Sequence, residues 1–509
     1  MGNKINSVLL KMARYNAQNI GTEMSMVNGT NFMDVFVRKE AVKMDICSKF
    51  IRWMLTPNEC LVSNYQEYLL HVDSRDAVFA FSFKGVQFYF ACLRLFGQDG
   101  YWQSNQQMDA TLGMWNPTRV APRDGYPLDC EFMSFEGLEW FFSTSAELTD
   151  QLKRDANGYF FIDTYALNNP KYIRKEGFDL LGCRAIFDLT LDGFILKSVE
   201  YKNVIYERHD STPDAKYALR ALYGGYSLIR TILSHAIGIH LLSSAKFVLA
   251  IRKIFPINHL IRQVLVATEL MSVNGIARAL NTLLCKNGVF HSMSPYTFEG
   301  LQLLIADYVA DGNNIPFHLA FVNPGGLEDH KAWHLSKEEA ECLPFKSLNT
   351  WLKYIYKFAD DFTTEFLRQS PYCPFVVQWQ KEGWPYFGDC TPKDSLVKMI
   401  AFMYSLQIIH ANVADPSLFY IFSEYSYALR TEAKLLNSHS LKSVHFMQMI
   451  VDESTAHAWV KMQEDLSSNV ANKQLQSIYK QFYDGIPHLK LDPRCKSMLP
   501  NSPGCSTGL

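Results

Sequence analysis

The stretch SHAIGIHLLSS, from Ser234 to Ser244, places two histidines five residues apart inside an apolar segment that continues to Ile251. In a regular α-helix, five residues rotate a side chain by about 140°, so His235 and His240 would point in different directions. A π-helical turn brings side chains at i and i+5 onto one face, and such turns are frequent at functional sites. The spacing therefore predicts a pair of metal ligands if the helix is locally wound wide, and otherwise two buried, hydrogen-bonded histidines.

A third histidine, His410, ends another long apolar pattern, LVKMIAFMYSLQII, which predicts a buried helix. A buried polar group costs free energy unless it is paired or coordinated. One shared ion would satisfy all three imidazoles, and neutral imidazole binds iron, copper, nickel and zinc. His235, His240 and His410 are therefore candidate metal ligands. The alternative is three core histidines whose hydrogen bonds are satisfied by the protein.

The composition indicates a globular protein and argues against several functional classes. The 509 residues are 48% hydrophobic and 20% charged with a net charge of -2, so no basic surplus favours nucleic acid as a partner. Eleven cysteines without a CxxC pair argue against a zinc ribbon or a disulfide framework, and they fit reduced thiols in the cytoplasm. The amino terminus lacks an apolar signal core, and the apolar segment at 229–251 contains charges, so we expect neither a secretory signal nor a membrane span.

A small β element is predicted near 158–205, within a chain whose other patterns are mainly helical. Two runs rich in β-branched and aromatic residues, at 159–167 and 184–202, indicate strands. Asp192–Gly193 lies between two such runs and indicates a hairpin turn. The fold class predicted from these patterns is mainly α.

The domain organisation predicted from the sequence is a single large core. From about residue 213 the pattern is helical, with loops predicted near 286–298, 311–330 and 370–393. No break in composition marks a second domain, and a long helical chain can build one core of this size. We therefore expect residues 1–70 to form a helical segment that packs on a domain built by 71–509.

Several motifs, in order along the chain, resemble the lipoxygenase family over about 70–509. The family's first ligand motif has two histidines with four residues between them, and His235-AIGI-His240 matches it. FVLAIRKIFPINHLI resembles the next motif, with Phe255 in place of a histidine, and VNGIARALNTLLCKNGVF resembles Asn-x-x-Ala-Arg followed by Gly-x-Phe. GWPYFGDCTPKDSLVKMIAFMYSLQIIHANVA resembles the run into the third ligand, His410, and MLPNSP resembles the family's terminal Pro-Asn-Ser.

The resemblance implies a large lipoxygenase-type helical domain around long central helices, without the amino-terminal β-barrel common in plant and animal members. It implies non-haem iron, with manganese as the alternative, bound by His235, His240, His410 and the carboxylate of Leu509. The implied reaction inserts O2 into a polyunsaturated fatty acid and gives a lipid hydroperoxide. Counting from Gly-x-Phe places Met293 in the substrate pocket. We expect a cytoplasmic monomer with peripheral contact to membranes.

Departures from the family pattern keep other functions open. Ala414 stands where the family usually has an asparagine ligand, and the chain continues as PGCSTGL after Pro-Asn-Ser. Thr231 and Ser417 stand where glutamines support the ligands, and loss of such support typically weakens metal affinity or activity roughly 10–100-fold. One alternative is a diverged homologue that keeps a three-histidine metal site and rearranges hydroperoxides. The other is a catalytically silent lipid-binding protein.

Overall fold

The computed structural model describes residues 134–144, 152–265, 268, 290, 294–310, 322–329, 333–382, 390–413, 465–495 and 498–499, apart from Ile257 and Pro344. These residues form one helix, then a small antiparallel sheet, and then a series of helices. The prediction of a mainly α protein with a small β element is therefore confirmed. The predicted amino-terminal helical segment, residues 1–70, lies outside the described residues.

Five strands form one antiparallel sheet in the order in which they occur along the chain. They are β1 (Leu152–Arg154), β2 (Phe160–Asp163), β3 (Arg184–Thr190), β4 (Gly193–Tyr201) and β5 (Val204–Glu207). The predicted hairpin joins β3 to β4, and its register pairs Thr190 with Gly193. The turn residues are therefore Leu191 and Asp192, one position earlier than predicted. Gly193 opens β4 at φ 127°, a conformation that favours glycine, and a Cβ there would lie 2.2 Å from the Ser143 hydroxyl.

Helix α1 (Phe135–Thr144) packs on β4 and joins the sheet to the helices. Phe142 of α1 contacts Phe187 of β3 on one side and Tyr226 on the other, with ring centroids 5.0 and 5.2 Å apart. Tyr226 belongs to helix α2 (Pro213–Leu228). These edge-to-face ring contacts hold α2 against the sheet, and α2 leads directly into the segment with the two histidines.

Helix α2 continues without a break into a π-helix (Ile229–Ala245) and then into α3 (Lys246–Ile254). It begins with Pro213 in its first turn, where the missing N–H costs nothing, and with the Thr212 side chain accepting a hydrogen bond from the backbone N–H of Ala215. These start signals are local, so the beginning of α2 is determined by the sequence near it.

The other helices are α4 (Leu260–Val264), α5 (Phe298–Ala310), α6 (Lys337–Ala340), α7 (Phe345–Gln369), α8 (Pro374–Glu382), α9 (Pro392–Val413) and α10 (Lys473–Gly485). Helix α9 contacts α7, α8 and the π-helix, and every side chain from Met399 to His410 is buried. A helix that is apolar on all sides belongs in the core of a large protein, as the sequence predicted for this one.

Helix α7 packs against α9 and α10 with one apolar face. Its buried side chains recur every three or four residues, as in Leu348, Leu352, Ile355, Ala359 and Phe362. This spacing is typical of an amphipathic helix with one face on the core.

Helix α8 lies inside 370–393, a segment for which the sequence predicted a loop, so that prediction is wrong for 374–382. Pro374 is the first helical residue, and proline is well suited to that position because its missing N–H would have no partner within the helix. A proline there starts a helix rather than ending one. None of the described helices is long and apolar enough to cross a membrane.

Candidate metal centre

The segment with the two histidines is a π-helix of 17 residues, Ile229–Ala245, so the predicted wide winding is confirmed. In a π-helix the backbone hydrogen bonds join residues i and i+5, which places residues five apart close to the same face. His235 and His240 accordingly face each other, with ring centroids 4.7 Å apart and Nε2 atoms 2.9 Å apart. Ser243 donates to the carbonyl of Gly238, 2.8 Å away and also five residues back, which follows the same spacing.

His410 reaches the same point from α9. Its Nε2 lies 2.9 Å from Nε2 of His235, and its ring centroid is 4.8 Å from each of the other two. The three ligand atoms all lie within 4.8 Å of one another. We call His235, His240 and His410 the three-histidine group. Their exposed fractions are 7%, 1% and 8%, which places the group in the core, away from bulk water.

Burial keeps the first histidine neutral. Desolvation, followed by the proximity of His240, His410 and Arg230, holds the pKa of His235 well below its ordinary value of 6.5. Metals bind neutral imidazole, because the ligating nitrogen must offer a lone pair. At neutral pH His235 therefore presents the protonation state that a metal requires.

Protons alone satisfy the three-histidine group poorly. An imidazole nitrogen carries either one proton or one lone pair. Nε2 of His235, in contact with two other Nε2 atoms, therefore cannot donate to one and accept from the other. A single cation facing three lone pairs resolves this conflict. Two nitrogens 2.9 Å apart both lie about 2.1 Å from one ion when the angle at the ion is near 90°, which is an ordinary metal–imidazole distance.

Polar atoms around the first histidine are buried without protein partners. Among the described residues, Nδ1 of His235 and the hydroxyls of Thr231 and Ser234 have no hydrogen-bond partner. A histidine that binds a metal usually donates its second N–H to a neighbouring group, which fixes the ring. Thr231 stands at the place of a family glutamine. Within the described residues, its hydroxyl does not accept a hydrogen bond from Nδ1 of His235.

Arg230 is a neighbour of the three-histidine group, and it was not among the site residues predicted from the sequence. It is fully buried, and its guanidinium carbon lies 5.9 Å from the ring centroid of Phe141. Arg230, His235 and His240 stand at successive intervals of five, which is the spacing of the hydrogen bonds in a π-helix. The pattern Arg-x4-His-x4-His was the signal that could have found it.

The other predicted site residues are not part of the described structure. Met293, Ala414, Ser417 and Leu509 lie outside the described residues, so their predicted roles stay predictions. Phe255, which replaces a family histidine, is fully buried, with its ring centroid 6.3 Å from that of Trp379. Phe255 therefore belongs to the aromatic core.

Comparison with known proteins places the fold. No protein-family model matches the chain, and no curated protein sequence matches it. Among solved structures, the manganese lipoxygenase of Gaeumannomyces graminis matches with a TM-score of 0.58 at 12% identity, covering 83% of this chain and 85% of that one. The coral 8R-lipoxygenase matches with a TM-score of 0.57 at 12% identity, covering 90% and 80%.

A lipoxygenase variant crystallised anaerobically with arachidonate is similar to the same extent. It matches with a TM-score of 0.57 at 13% identity, covering 92% of this chain and 82% of that one. Identities this low show the fold alone. The chain therefore has a lipoxygenase-like fold that contains a buried three-histidine group able to bind a metal ion.

Proposed function

We propose that this protein is a non-haem metal dioxygenase that inserts O2 into polyunsaturated fatty acids and releases lipid hydroperoxides. The observation that carries the proposal is the convergence of three imidazole nitrogens from the π-helix and α9 at one buried point of a lipoxygenase-like fold. The arachidonate complex of one structural neighbour supports the choice of a fatty acid as substrate class.

The residues proposed to hold the ion are His235, His240 and His410, with the carboxylate of Leu509 as a further proposed ligand. Iron is the proposed ion, and manganese is the alternative. The chemistry that a redox metal supplies in such a site is removal of a hydrogen atom from the methylene between two cis double bonds, after which O2 adds to the carbon radical.

The chain's own contribution is a dry and apolar site. Ala236, Ile237 and Ile239 separate the two histidines of the π-helix, and Ile408 and Ile409 precede the third histidine; all five are buried. Apolar neighbours favour a hydrocarbon chain over water, and exclusion of water prevents side reactions of a carbon radical. Met293 is proposed to line the pocket for the hydrocarbon chain.

The test is a metal analysis combined with an activity assay. The full chain is purified, iron and manganese are quantified, and conjugated-diene absorbance is followed with linoleate and with arachidonate. We expect about one ion per chain, as a single three-ligand site requires, and diene formation that stops when the ion is chelated. His488→Gln is the matched control, because His488 is exposed on the surface.

Two other outcomes would contradict the proposal in different ways. Bound metal without diene formation favours the diverged homologue, which is then assayed with a fatty-acid hydroperoxide as substrate. A protein that binds no metal and forms no diene favours the lipid-binding alternative, which a fatty-acid binding titration then measures. Ala414, at the place of the family's asparagine ligand, is the sequence feature that supports both alternatives.

A further inference from the structure

A cysteine and a histidine that are 114 residues apart in sequence meet outside the three-histidine group. The Sγ atom of Cys373 lies 3.5 Å from Nε2 of His259. Cys373 immediately precedes helix α8, and His259 is the residue that caps the start of α4. Contact of a thiol with an imidazole is a common arrangement for a reactive cysteine.

The cap on α4 determines which nitrogen of His259 carries the proton. Nδ1 accepts a hydrogen bond from the backbone N–H of Ile261, 3.3 Å away, so it must carry a lone pair. In the neutral ring the proton is then on Nε2, and it points to the sulfur of Cys373. Burial lowers the pKa of His259, which keeps the ring neutral. The imidazole is therefore a hydrogen-bond donor to the sulfur, and such a donor favours the thiolate.

The start of helix α8 acts in the same direction. The backbone carbonyl of Cys373 accepts hydrogen bonds from the N–H groups of Val376 and Val377, at 3.1 and 3.3 Å, so Cys373 is the capping residue of this nine-residue helix. The amino terminus of a helix carries partial positive charge, which stabilises an anion located there. A thiolate at this position benefits from the helix and from the imidazole together.

Two of the other described cysteines lie in environments that favour the neutral thiol. Burial raises the pKa of Cys183 to about 12. Burial and the neighbouring carboxylates of Glu339 and Glu341 raise the pKa of Cys342. The sulfur of Cys373, in contrast, is in contact with an imidazole.

The surroundings of the pair suit a small or apolar reagent. Cys373 is 8% exposed, and the residue before it, Tyr372, is 94% exposed. Three phenylalanine rings surround His259, with centroids 5.2 to 5.7 Å from its own: Phe255, Phe366 and Phe375.

We propose that Cys373 is a modification site whose thiolate reacts with hydroperoxides. The sulfur forms a bond to the terminal oxygen of the hydroperoxide, the O–O bond breaks, and the leaving oxygen takes a proton from water to become an alcohol, or water if the reagent is hydrogen peroxide. The cysteine is oxidised to a sulfenic acid and the hydroperoxide is reduced. This reaction of Cys373 does not require the metal. It rests on the proposed function only if the hydroperoxide is a lipid hydroperoxide that the protein itself has made.

The first experiment uses the wild-type full chain at pH 7, with hydrogen peroxide and with linoleate hydroperoxide in separate reactions. Sulfenic acid is trapped with dimedone and located by peptide mass spectrometry. We expect trapping at Cys373 before Cys390, although Cys390 is the more exposed thiol. Faster oxidation by linoleate hydroperoxide than by hydrogen peroxide indicates a lipid hydroperoxide as the reagent, and the reverse order indicates hydrogen peroxide. Trapping at Cys390 first, or at neither with both reagents, would overturn the proposal.

The second experiment removes the donor and keeps the helix cap. Asparagine is a good capping residue, so His259→Asn preserves the start of α4 while it removes the N–H that faces the sulfur. We expect oxidation of Cys373 to slow by about tenfold, because the reacting sulfur loses one hydrogen-bond donor. Its rate of alkylation by iodoacetamide should fall as well, with the rate at Cys390 unchanged. Unaltered rates at Cys373 in a folded variant would overturn the proposal.

A parallel measurement separates this proposal from the proposed function. The His235→Ala protein, which lacks one proposed metal ligand, should show the wild-type rate of oxidation at Cys373 with added hydrogen peroxide. Loss of dioxygenase activity with retained oxidation at Cys373 leaves this inference intact. Loss of oxidation at Cys373 in the folded His235→Ala protein would contradict it.

Discussion

Helix α9 contributes to two buried polar clusters, and the polar atoms of the two clusters are satisfied in different ways. His410 joins the three-histidine group. Tyr404, six residues earlier, joins a tyrosine cluster with Tyr479 and Tyr483 of α10. The Tyr404 hydroxyl donates to the carbonyl of Val264, 2.6 Å away, and is hydrogen-bonded to the Tyr479 hydroxyl. The hydroxyl oxygens of Tyr479 and Tyr483 are 2.8 Å apart.

The difference follows from the chemistry of the two side chains. A hydroxyl has one proton and two lone pairs, so it donates once and accepts at the same time. Three tyrosines can therefore form a chain of donors that ends at a carbonyl. An imidazole nitrogen has either a proton or a lone pair, so it cannot donate and accept at the same time. Three imidazole nitrogens that face one point therefore cannot form a chain of hydrogen bonds. The tyrosine cluster is complete within the protein, whereas the three-histidine group is suited to a ligand.

The largest effect expected from this comparison is that of His240→Ala. We expect bound metal to fall to near zero and diene formation to fall by more than about hundredfold, because loss of a ligand should exceed the roughly 10–100-fold effect of losing a supporting residue. Metal analysis and diene absorbance measure the change, with His488→Ala as the surface control. A variant that keeps its metal would refute the assignment of His240 as a ligand.

Removal of the metal should lower the free energy of unfolding, and this effect should depend on an intact three-histidine group. A ligand that binds only the native state stabilises it by about 2.7 kcal/mol when its free concentration is 100 times the Kd. We expect that addition of iron at this concentration to metal-free protein raises the free energy of unfolding by about this amount in urea titrations. The His240→Ala protein should show no change. Equal stabilisation of both proteins would place the metal elsewhere.

Tyr479→Phe tests the other cluster. The substitution interrupts the chain of hydroxyls and leaves buried groups without a partner, which costs about 1–3 kcal/mol. Urea unfolding should show this loss while metal content stays at the wild-type level. Tyr372→Phe is the control, because Tyr372 is exposed and its substitution should change stability by less than about 0.5 kcal/mol. Loss of metal in the Tyr479→Phe protein would mean that the two clusters are coupled.

The two clusters should weaken the metal-free protein at opposite ends of the pH scale. The pKa of His235 is lowered in the folded state, so the unfolded chain binds a proton first and stability falls as pH drops below about 6.5. Burial raises the pKa of Tyr404 and Tyr479 well above 10, so the unfolded chain loses protons first and stability falls as pH rises above about 10. Each titrating group contributes up to about 1.4 kcal/mol per pH unit.

Urea titrations across pH measure both limbs of this profile. His235→Gln should flatten the acid limb alone, and Tyr479→Phe should flatten the alkaline limb alone. If both substitutions flattened the same limb, the assignment of the limbs to these clusters would be wrong.

Much of the candidate site was predictable because it depends on local patterns. The apolar segments around His235 and His410 predicted buried helices, and the spacing of five predicted a wide helix if the two histidines are ligands, which is the winding that the structure has. Strands and the hairpin were predictable from runs rich in β-branched and aromatic residues and from Asp192–Gly193, although the turn is displaced by one residue. Beside the turn, the Ser143 hydroxyl accepts a hydrogen bond from the backbone N–H of Phe194, a contact between residues 51 apart in the chain.

Other features depend on contacts between segments that are far apart in the chain. The tyrosine cluster joins residues 75 apart, and the contact of Cys373 with His259 joins residues 114 apart. No periodicity within either segment predicts which side chain of the other it will meet. Helix α8 was missed for a local reason, because Pro374 was interpreted as part of a loop although proline also begins helices.

The sequence by itself determined which histidines are buried in apolar helices, and it determined the spacing that only a π-helix can bring to one face. The tertiary structure alone decided that His410, 175 residues from His235, brings its Nε2 to within 2.9 Å of the same point. The physical reason is that helix winding depends on neighbours within a few residues, whereas the approach of two helices depends on the packing of the whole core between them.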